Sequence, residues 1–531
     1  MRCLLPSVGD LLFVAILGVL VFTNLSVRLL GDAGIGWHIR TGQLILATHA
    51  IPRIDPFSSS MSGHPWFAWE WLYDVLVGRL ESLAGLNGVV LLTALIIAAV
   101  FSWAYRLLLA RGTNILVALI LVLIAASASM IHFLTRPHVA SWLFTVVWFW
   151  ILESSEEGGR WKLWSLPLVM VVWVNVHGGF LLGFALLTVY WVTAGWRWLT
   201  LTLRLTEEEF DDFLRKLQTG RRFRVLTIVG ILSAGATLLN PYGFQLHAHI
   251  YRYLSNRFLM DHIDEFQSPN FHYVAQKCFA GLLLLTLMAL AAKGREFKRV
   301  SASHGLVVLF AVYSGLYASR NIPVSSLLLI LVMGPWLSDA IAPLVESRRT
   351  SRQTSLASTG FLGRMEGIEL SLRGHVWPVV AIALTCWIVT HGGNLGGRQL
   401  MDAHFDSKRF PVAAVSYLEK QDVQGPVLSP DSWGGYLIYR LYLYHNHMEP
   451  MKVVVDDRHD LYGEEFLKSY LKMIHVQPGW DEFLEQHQTQ CVLLPKDSAL
   501  ASILLETSDW KAIYGDDVAA AFIRTPAPLS H

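Results

Sequence analysis

The sequence predicts a polytopic α-helical membrane protein that ends in an α/β domain of soluble character. Of its 531 residues, 53% are hydrophobic and only 16% charged, and the mean hydropathy of +0.43 is far too high for a soluble globule of this size. Apolar runs near the roughly 20 residues needed to cross a bilayer recur up to about Gly393. From Asp402 onward the composition is that of an ordinary soluble domain. The expected division is therefore a membrane domain over 1–393 and an extracytoplasmic α/β domain over 394–531.

Taken in order, the candidate spans are 11–30, 87–107, 114–134, 138–152, 161–176, 180–198, 225–240, 276–292, 303–318, 322–343 and 375–391, about eleven helices. Leu163 to Trp198 is too long for one crossing, over about 50 Å at about 1.5 Å per residue. Asn175, His177, Gly178 and Gly179 interrupt it, so two short helices with a turn at His177-Gly178-Gly179 are expected. The N-terminus carries Arg2, Pro6 and Asp10 before its apolar run with no small-residue cleavage pattern after it, and reads as a retained first helix. With that end inside, the inner segments carry 21 Lys and Arg, more than twice the outer number. Their clusters are RKLQTGRRFR, KGREFKR and ESRRTSR, and the linker Arg348 to Gly363 faces inward with them. An odd number of spans then leaves everything after Thr390 outside. The protein is expected in the cytoplasmic (inner) membrane, N-terminus cytoplasmic.

The net charge of +1 says little about partners in a membrane chain, and nothing points to nucleic acid. Cys3, Cys278 and Cys386 lie in or beside apolar runs and Cys491 stands alone, so no internal disulfide is expected.

Residues 31–86 form the first outer loop. Gly34 to Ala47 and Phe67 to Leu83 have helical length and mixed polarity, with Trp37, Trp66, Trp69 and Trp71 suited to a membrane interface on which both helices lie flat. The turn-rich IPRIDPFSSSMSGHPW between them is expected to cover the bundle. In the last domain, Phe410 to Glu419 has helical periodicity. Pro426 to Ser429, Lys452 to Asp456, Cys491 to Pro495 and Trp510 to Tyr514 read as strands, and Val518 to Arg524 pairs with its predecessor across Gly515-Asp516-Asp517. Helices at 463–475 and 480–488 lie between them.

With the orientation fixed, the polar interruptions gather on the outer side. They are Asp32, His38, Arg40, Asp55 and Glu70 in the first loop, His132, Arg136 and His138, then Asn175 and His177, then Asn240, Tyr242, His247, His249 and Glu265, and finally Arg320 with Asn321. Ionisable groups at membrane depth are costly and face a cavity or a partner; one outer cavity accounts for the set. Each residue also has a plainer use. Asp32 suits a helix cap, Arg136 and Arg320 suit snorkelling anchors, and Asn175 and Asn240 suit turns. His247-x-His249 alone is a weak metal signal.

An acidic residue directly after the first span, a large outer loop with two interface helices, many spans and an outer α/β domain together resemble the GT-C superfamily of membrane glycosyltransferases. The likeness is to the bacterial branch with protein O-mannosyltransferases, lipid A aminoarabinose transferase and rhizobial lipopolysaccharide galacturonosyltransferases. It is similar also to bacterial membrane proteins with the pattern of Asp32, Trp37, His38, Arg40, Thr41 and Gly42, then Ile51 to Ser58 and Glu70 to Leu72. Later motifs are Arg136-Pro137-His138, Asn240-Pro241-Tyr242-Gly243, Trp433-Gly434-Gly435-Tyr436 and Asp457-Arg458.

The resemblance implies an inverting transferase that takes a sugar from a polyprenyl-phosphate donor at the outer membrane face and passes it to a lipid, glycan or protein in the cell envelope. Asp32 matches the family's acidic position as general base. Members often have a second acid beside it; Ala33 stands there here, and Asp55 is the next candidate. Arg136, Arg320, His38 and Arg40 are the candidates for the donor phosphate, and Glu70, His138, Asn175, His177, Asn240, Tyr242, Glu265 and Asn321 for the substrate cavity. Some members use a divalent metal ion; no residue pattern here requires one. The alternative is a non-catalytic relative that binds a lipid-linked glycan. A transporter would need mid-helix polar residues continuing to the inner face, and the inner halves of several spans are mostly Leu, Ile, Val and Ala.

Overall fold

The computed structural model describes residues 4–156, 158–204, 210–294, 301–347, 367–369, 371–372, 375–421, 423, 425–442 and 451–525. The linker Arg348 to Gly363 and parts of the KGREFKR and ESRRTSR clusters lie outside them. Each of the eleven apolar stretches contains a helix. By length and composition five are suited to crossing a membrane: Trp71–Ala110, Ile115–His132, Gly178–Leu203, Val274–Lys293 and Ser319–Ile341. The architecture is that of a multi-pass membrane protein.

The first run departs from expectation. Its helix, Val8–Phe22, starts at a capping box in which Ser7 and Asp10 satisfy each other's backbone N–H groups. It stops at Thr23, and a separate short turn, Leu25–Leu29, carries the chain to Gly31. The second interface helix and the second span are one element, Trp71–Ala110, with a break at Ala84 and Gly85, where Gly85 takes φ 59. The expected turn at His177 is present between Leu166–Val176 and Leu181–Arg204.

Beyond the bundle, four strands form one sheet: β1 (Val427–Leu428), β2 (Cys491–Pro495), β3 (Trp510–Gly515) and β4 (Ala519–Arg524), in the order β1-β2-β4-β3. β1 and β2 are parallel and the other pairs antiparallel, so the expected Trp510-to-Arg524 hairpin is present. Lys452 to Asp456 is not a ladder strand. Val453 instead bridges Val427 on one side and Ser58 of the first loop on the other, so the Pro-rich turn joins the edge of the sheet. Helices Val412–Lys420, His459–Ile474 and Asp481–Gln486 fall where expected, while Asp431–Leu441 and Ala499–Glu506 were not legible in advance.

The helix Ile35–Thr48 does not lie open on a membrane surface. It is clasped between Trp71–Ala110 and the C-terminal helix Asp431–Leu441, with Ile35 to Gly42 buried throughout. Trp37 and Trp66 are buried with it rather than serving as interface anchors. Glycines allow the clasp: a Cβ on Gly36 would overlap the Gly435 carbonyl oxygen, and one on Gly435 would overlap the Ala33 carbonyl oxygen. This close approach explains Gly435 in the Trp433 motif, while Gly434 makes room for the Val455 carbonyl and the Asp456 backbone. Gly36→Ala should cost about 1–3 kcal/mol through forced separation of the two helices, read as a lowered Tm; an unchanged Tm would show the clasp to be loose.

Candidate active site

The end of the bundle facing the C-terminal domain encloses a cavity of about 1470 Å³. Its walls come from the first loop, the His132–His138 turn, the His177 turn, the Glu265 and Arg320 turns, and the C-terminal domain. Nine residues of the polar set line it: Asp32, Glu70, His132, Arg136, His138, His177, Glu265, Arg320 and Asn321.

Asp32 stands where Leu25–Leu29 gives way to Ile35–Thr48. Its Oδ1 accepts the Gly34 N–H at 2.8 Å and faces Arg136 Nη1 at 3.3 Å. Both interactions fall on Oδ1, leaving Oδ2 for a substrate, and the side chain is 24% exposed. The Gly34 bond closes a turn ahead of the helix and does not cap it, since the N-cap is Gly34 and no side chain caps it, so Asp32 is not the helix cap the plainer reading expected. Arg136 is held in place because its neighbour Thr135 bonds the Leu29 carbonyl through both N–H and Oγ1.

The second carboxylate beside Asp32 is Asp457, from the far domain, and not Asp55. Its Oδ2 accepts from Arg136 Nη1 at 2.8 Å and its Oδ1 from Trp37 Nε1 at 3.0 Å. Burial pushes its acid up to about 6 despite Arg136. Asp55 lies off the cavity in a turn where the Phe57 and Ser58 N–H groups bond its carboxylate, and Arg458 Nη1 meets its Oδ1 at 2.7 Å. Arg458 also bonds Asp456 through Nε and Nη2, and all three are almost fully buried. Asp55 thus fastens the first loop to the C-terminal domain.

Other predicted residues stand outside the cavity. His38 is fully buried, with Nδ1 2.6 Å from Asp74 Oδ1. Arg40 donates to the Tyr439 carbonyl and to Gln43, which leaves its fork turned into the clasp instead of toward a phosphate. Asn175 accepts from Trp71 Nε1 at 2.7 Å and donates to the Val171 and Leu239 carbonyls, tying two helices to the turn after Phe210–Ala236. Asn240 closes its own turn, and Tyr242 takes the Ala68 N–H at 2.7 Å with Arg53 stacked on its ring. His247 and His249 diverge, one to Thr237 and the other to Asp460.

Glu70 sits between two imidazoles. His177 Nδ1 accepts the Gly179 N–H at 3.0 Å, which leaves the proton on Nε2, 3.8 Å from Glu70 Oε1. His38 Nε2 stands 3.8 Å from Oε2. Burial pushes Glu70 up to about 8, which favours the neutral carboxylic acid. A folded-state value above the ordinary 4.5 means the protonated form stabilises the fold. That contribution is full below pH 4.5 and is lost as pH rises toward 8. His459, raised by its bond to Asp431, works in the same direction, so Glu70's share of a falling Tm between about pH 6 and 8, at most about 1.4 kcal/mol per unit, is the part its replacement removes. Glu70→Gln should flatten that stretch; an equal fall in the variant would assign it elsewhere.

Across the cavity, burial works to raise Glu265, yet the fields of Arg320 and His132 hold it down at about 2. Arg320 lies over the Phe266 ring at 4.6 Å, and Asn321 Nδ2 bonds the Ser314 carbonyl at 3.2 Å. Missed in the sequence were Arg409, Asp460 and the pair Asp431–His459, joined at 2.9 Å, all on the cavity wall beside Trp433 of the motif noted in the sequence. Five successive ionisable residues after Val453–Val455 were the available signal. The polar residues are also not confined to one end. At the opposite end of the bundle Glu153 meets Arg111, His304 at 3.0 Å and Tyr190.

An archaeal oligosaccharyltransferase from Archaeoglobus fulgidus in its apo form aligns over 98% of this chain and 74% of its own, at 10% identity and a TM-score of 0.55. The same organism's AglB with an inhibitory peptide and a dolichol-phosphate aligns over 98% and 75%, at 10% identity and 0.54. This chain has the GT-C fold. ArnT from Cupriavidus metallidurans in the apo state aligns over 96% and 97% at 14% identity, with a TM-score of 0.49. No protein-family model and no curated protein matches the sequence. Within the GT-C fold, Asp32 follows the apolar helix Val8–Phe22 and the short turn Leu25–Leu29, and the C-terminal domain supplies part of the cavity wall.

The residues around Asp32 and Asp457 do not fit a divalent ion as they stand. Among the described residues no group of three or more His, Cys, Asp or Glu is placed to hold a metal, and the Arg136 guanidinium fills the gap between the two acids.

Proposed function

We propose that the chain is an inverting glycosyltransferase that uses a polyprenyl-phosphate-linked sugar at the outer face of the cytoplasmic membrane. The observation that carries the reading is the free Oδ2 of Asp32 on the wall of a cavity large enough for a sugar and an acceptor, with Arg320 and Arg409 on the same wall. The GT-C fold supports it, as does the dolichol-phosphate bound by the archaeal AglB.

An acceptor hydroxyl attacks the anomeric carbon while Asp32 Oδ2 takes its proton. The bond from that carbon to the phosphate oxygen breaks, and the polyprenyl phosphate leaves with the electron pair. Arg320 and Arg409 offer planar donors to the departing charge. Arg136 is committed to the two acids, and Arg40 and His38 are committed elsewhere, so these three drop out as primary phosphate donors. Trp69 and Trp433 on the wall offer faces for a sugar.

The test is transfer by purified protein in vesicles containing an isotope-labelled polyprenyl-phosphate sugar and candidate lipid, glycan and peptide acceptors. Product with inverted anomeric configuration supports the reading. Saturable donor binding without product from any acceptor favours the non-catalytic glycan carrier.

A further inference from the structure

We propose that the Arg136 guanidinium is the resident cation of this site, standing where a divalent ion would otherwise bridge Asp32 and Asp457. The catalytic part of the inference rests on the transferase reading; the cation's identity does not.

Two carboxylates from segments more than four hundred residues apart converge on one nitrogen, Arg136 Nη1, at 3.3 Å from Asp32 Oδ1 and 2.8 Å from Asp457 Oδ2. Two partly buried acids so near each other repel unless a positive charge lies between them. That charge is supplied by a metal ion or by a basic side chain, and here the side chain is built in. Gly34 makes room for it, since a Cβ there would overlap both Arg136 Nη1 and Asp457 Oδ2. Trp37 contributes twice, fixing Asp457 Oδ1 through its indole N–H and placing its ring 5.9 Å from the guanidinium carbon. Thr135 anchors the backbone from the other side.

A divalent ion needs oxygen ligands at about 2.0–2.6 Å and usually six or more in all. Asp32 Oδ1 and Asp457 Oδ2 already accept from Arg136 and Asp457 Oδ1 from Trp37, so of the two carboxylates just Asp32 Oδ2 is open. A guanidinium also differs in kind from a metal ion: it carries one charge, cannot be chelated, and donates only along fixed N–H directions. It orients Asp32 through Oδ1 while leaving Oδ2 open, so the reaction proceeds without added metal and survives chelation.

The test is Mn²⁺ binding to the full-length chain in detergent, followed by electron paramagnetic resonance and by the thermal shift with MnCl2, with no substrate present. Wild type should bind no stoichiometric Mn²⁺ after EDTA treatment. Arg136→Met keeps the volume and removes the charge, and should acquire one Mn²⁺ per chain that adding Asp32→Asn abolishes. Wild type binding one Mn²⁺ that Asp32→Asn or Asp457→Asn removes would overturn the proposal. A folded Arg136→Met chain that binds none would overturn it too, since the acids would then not form a cation seat. If that variant does not fold, the wild-type measurement decides alone. Because the readout involves no sugar transfer, its failure is distinct from failure of the transferase reading.

Discussion

Asp32→Asn is expected to lower sugar transfer by about 10²–10⁴-fold with little change in Tm. A positioned general base contributes about that factor, equivalent to about 3–5 kcal/mol of barrier. The fold should tolerate the change because an amide oxygen still accepts the Gly34 N–H, the one short bond Asp32 makes to its own turn. Arg136 loses one carboxylate partner but retains Asp457 at 2.8 Å, so no guanidinium is stranded. The measurement is initial rate with labelled donor, beside a melting curve of the same preparation. A folded variant with undiminished turnover would remove Asp32 from the base role and transfer attention to the other acids of the cavity wall.

The membrane bundle was legible because its signal is compositional: long apolar runs survive any uncertainty about packing. The turn at His177 was legible for the same reason, since polar and glycine residues inside an apolar run interrupt it. The convergence of Asp32, Arg136, His138, His177, Glu265 and Arg320 on one cavity followed from placing interruptions on one side of a membrane. Pairing was not legible. That Asp457 rather than Asp55 joins Asp32 depends on how the C-terminal domain docks, and docking depends on the glycine contact between Gly36 and Gly435 and on Val453 bridging Ser58. Neither leaves a periodic trace. Tryptophans placed at an interface by their chemistry turned inward because that domain covers the first loop, and Arg40 followed them. The Glu153 cluster was hidden because its members, Arg111, Tyr190 and His304, sit singly on separate elements.

The joint between the two parts of the molecule carries the largest expected effect on stability. Arg458 is the only cation bonded to Asp55 and Asp456 among the described residues, and the three side chains are at most 1% exposed. Stacking over Trp66 at 4.7 Å and Phe57 at 5.3 Å encloses the guanidinium in apolar rings. Arg458→Met leaves two buried carboxylates without their partner, and breaking such a pair costs about 3–5 kcal/mol. Asp55→Asn should cost less, because Arg458 keeps both its bonds to Asp456 and the amide oxygen can still accept the Ser58 N–H. The double variant carries the discriminating result. If Asp55 matters through Arg458, Asp55→Asn should add little to Arg458→Met, with a coupling of about 0.5–3 kcal/mol in thermal or denaturant unfolding. Limited proteolysis should show the C-terminal domain cut faster in Arg458→Met than in Asp55→Asn. Strictly additive losses would mean that the Asp55–Arg458 pair does not couple the first loop to the C-terminal domain, leaving the glycine clasp, the Val453–Ser58 bridge and the Trp37–Asp457 bond to join them.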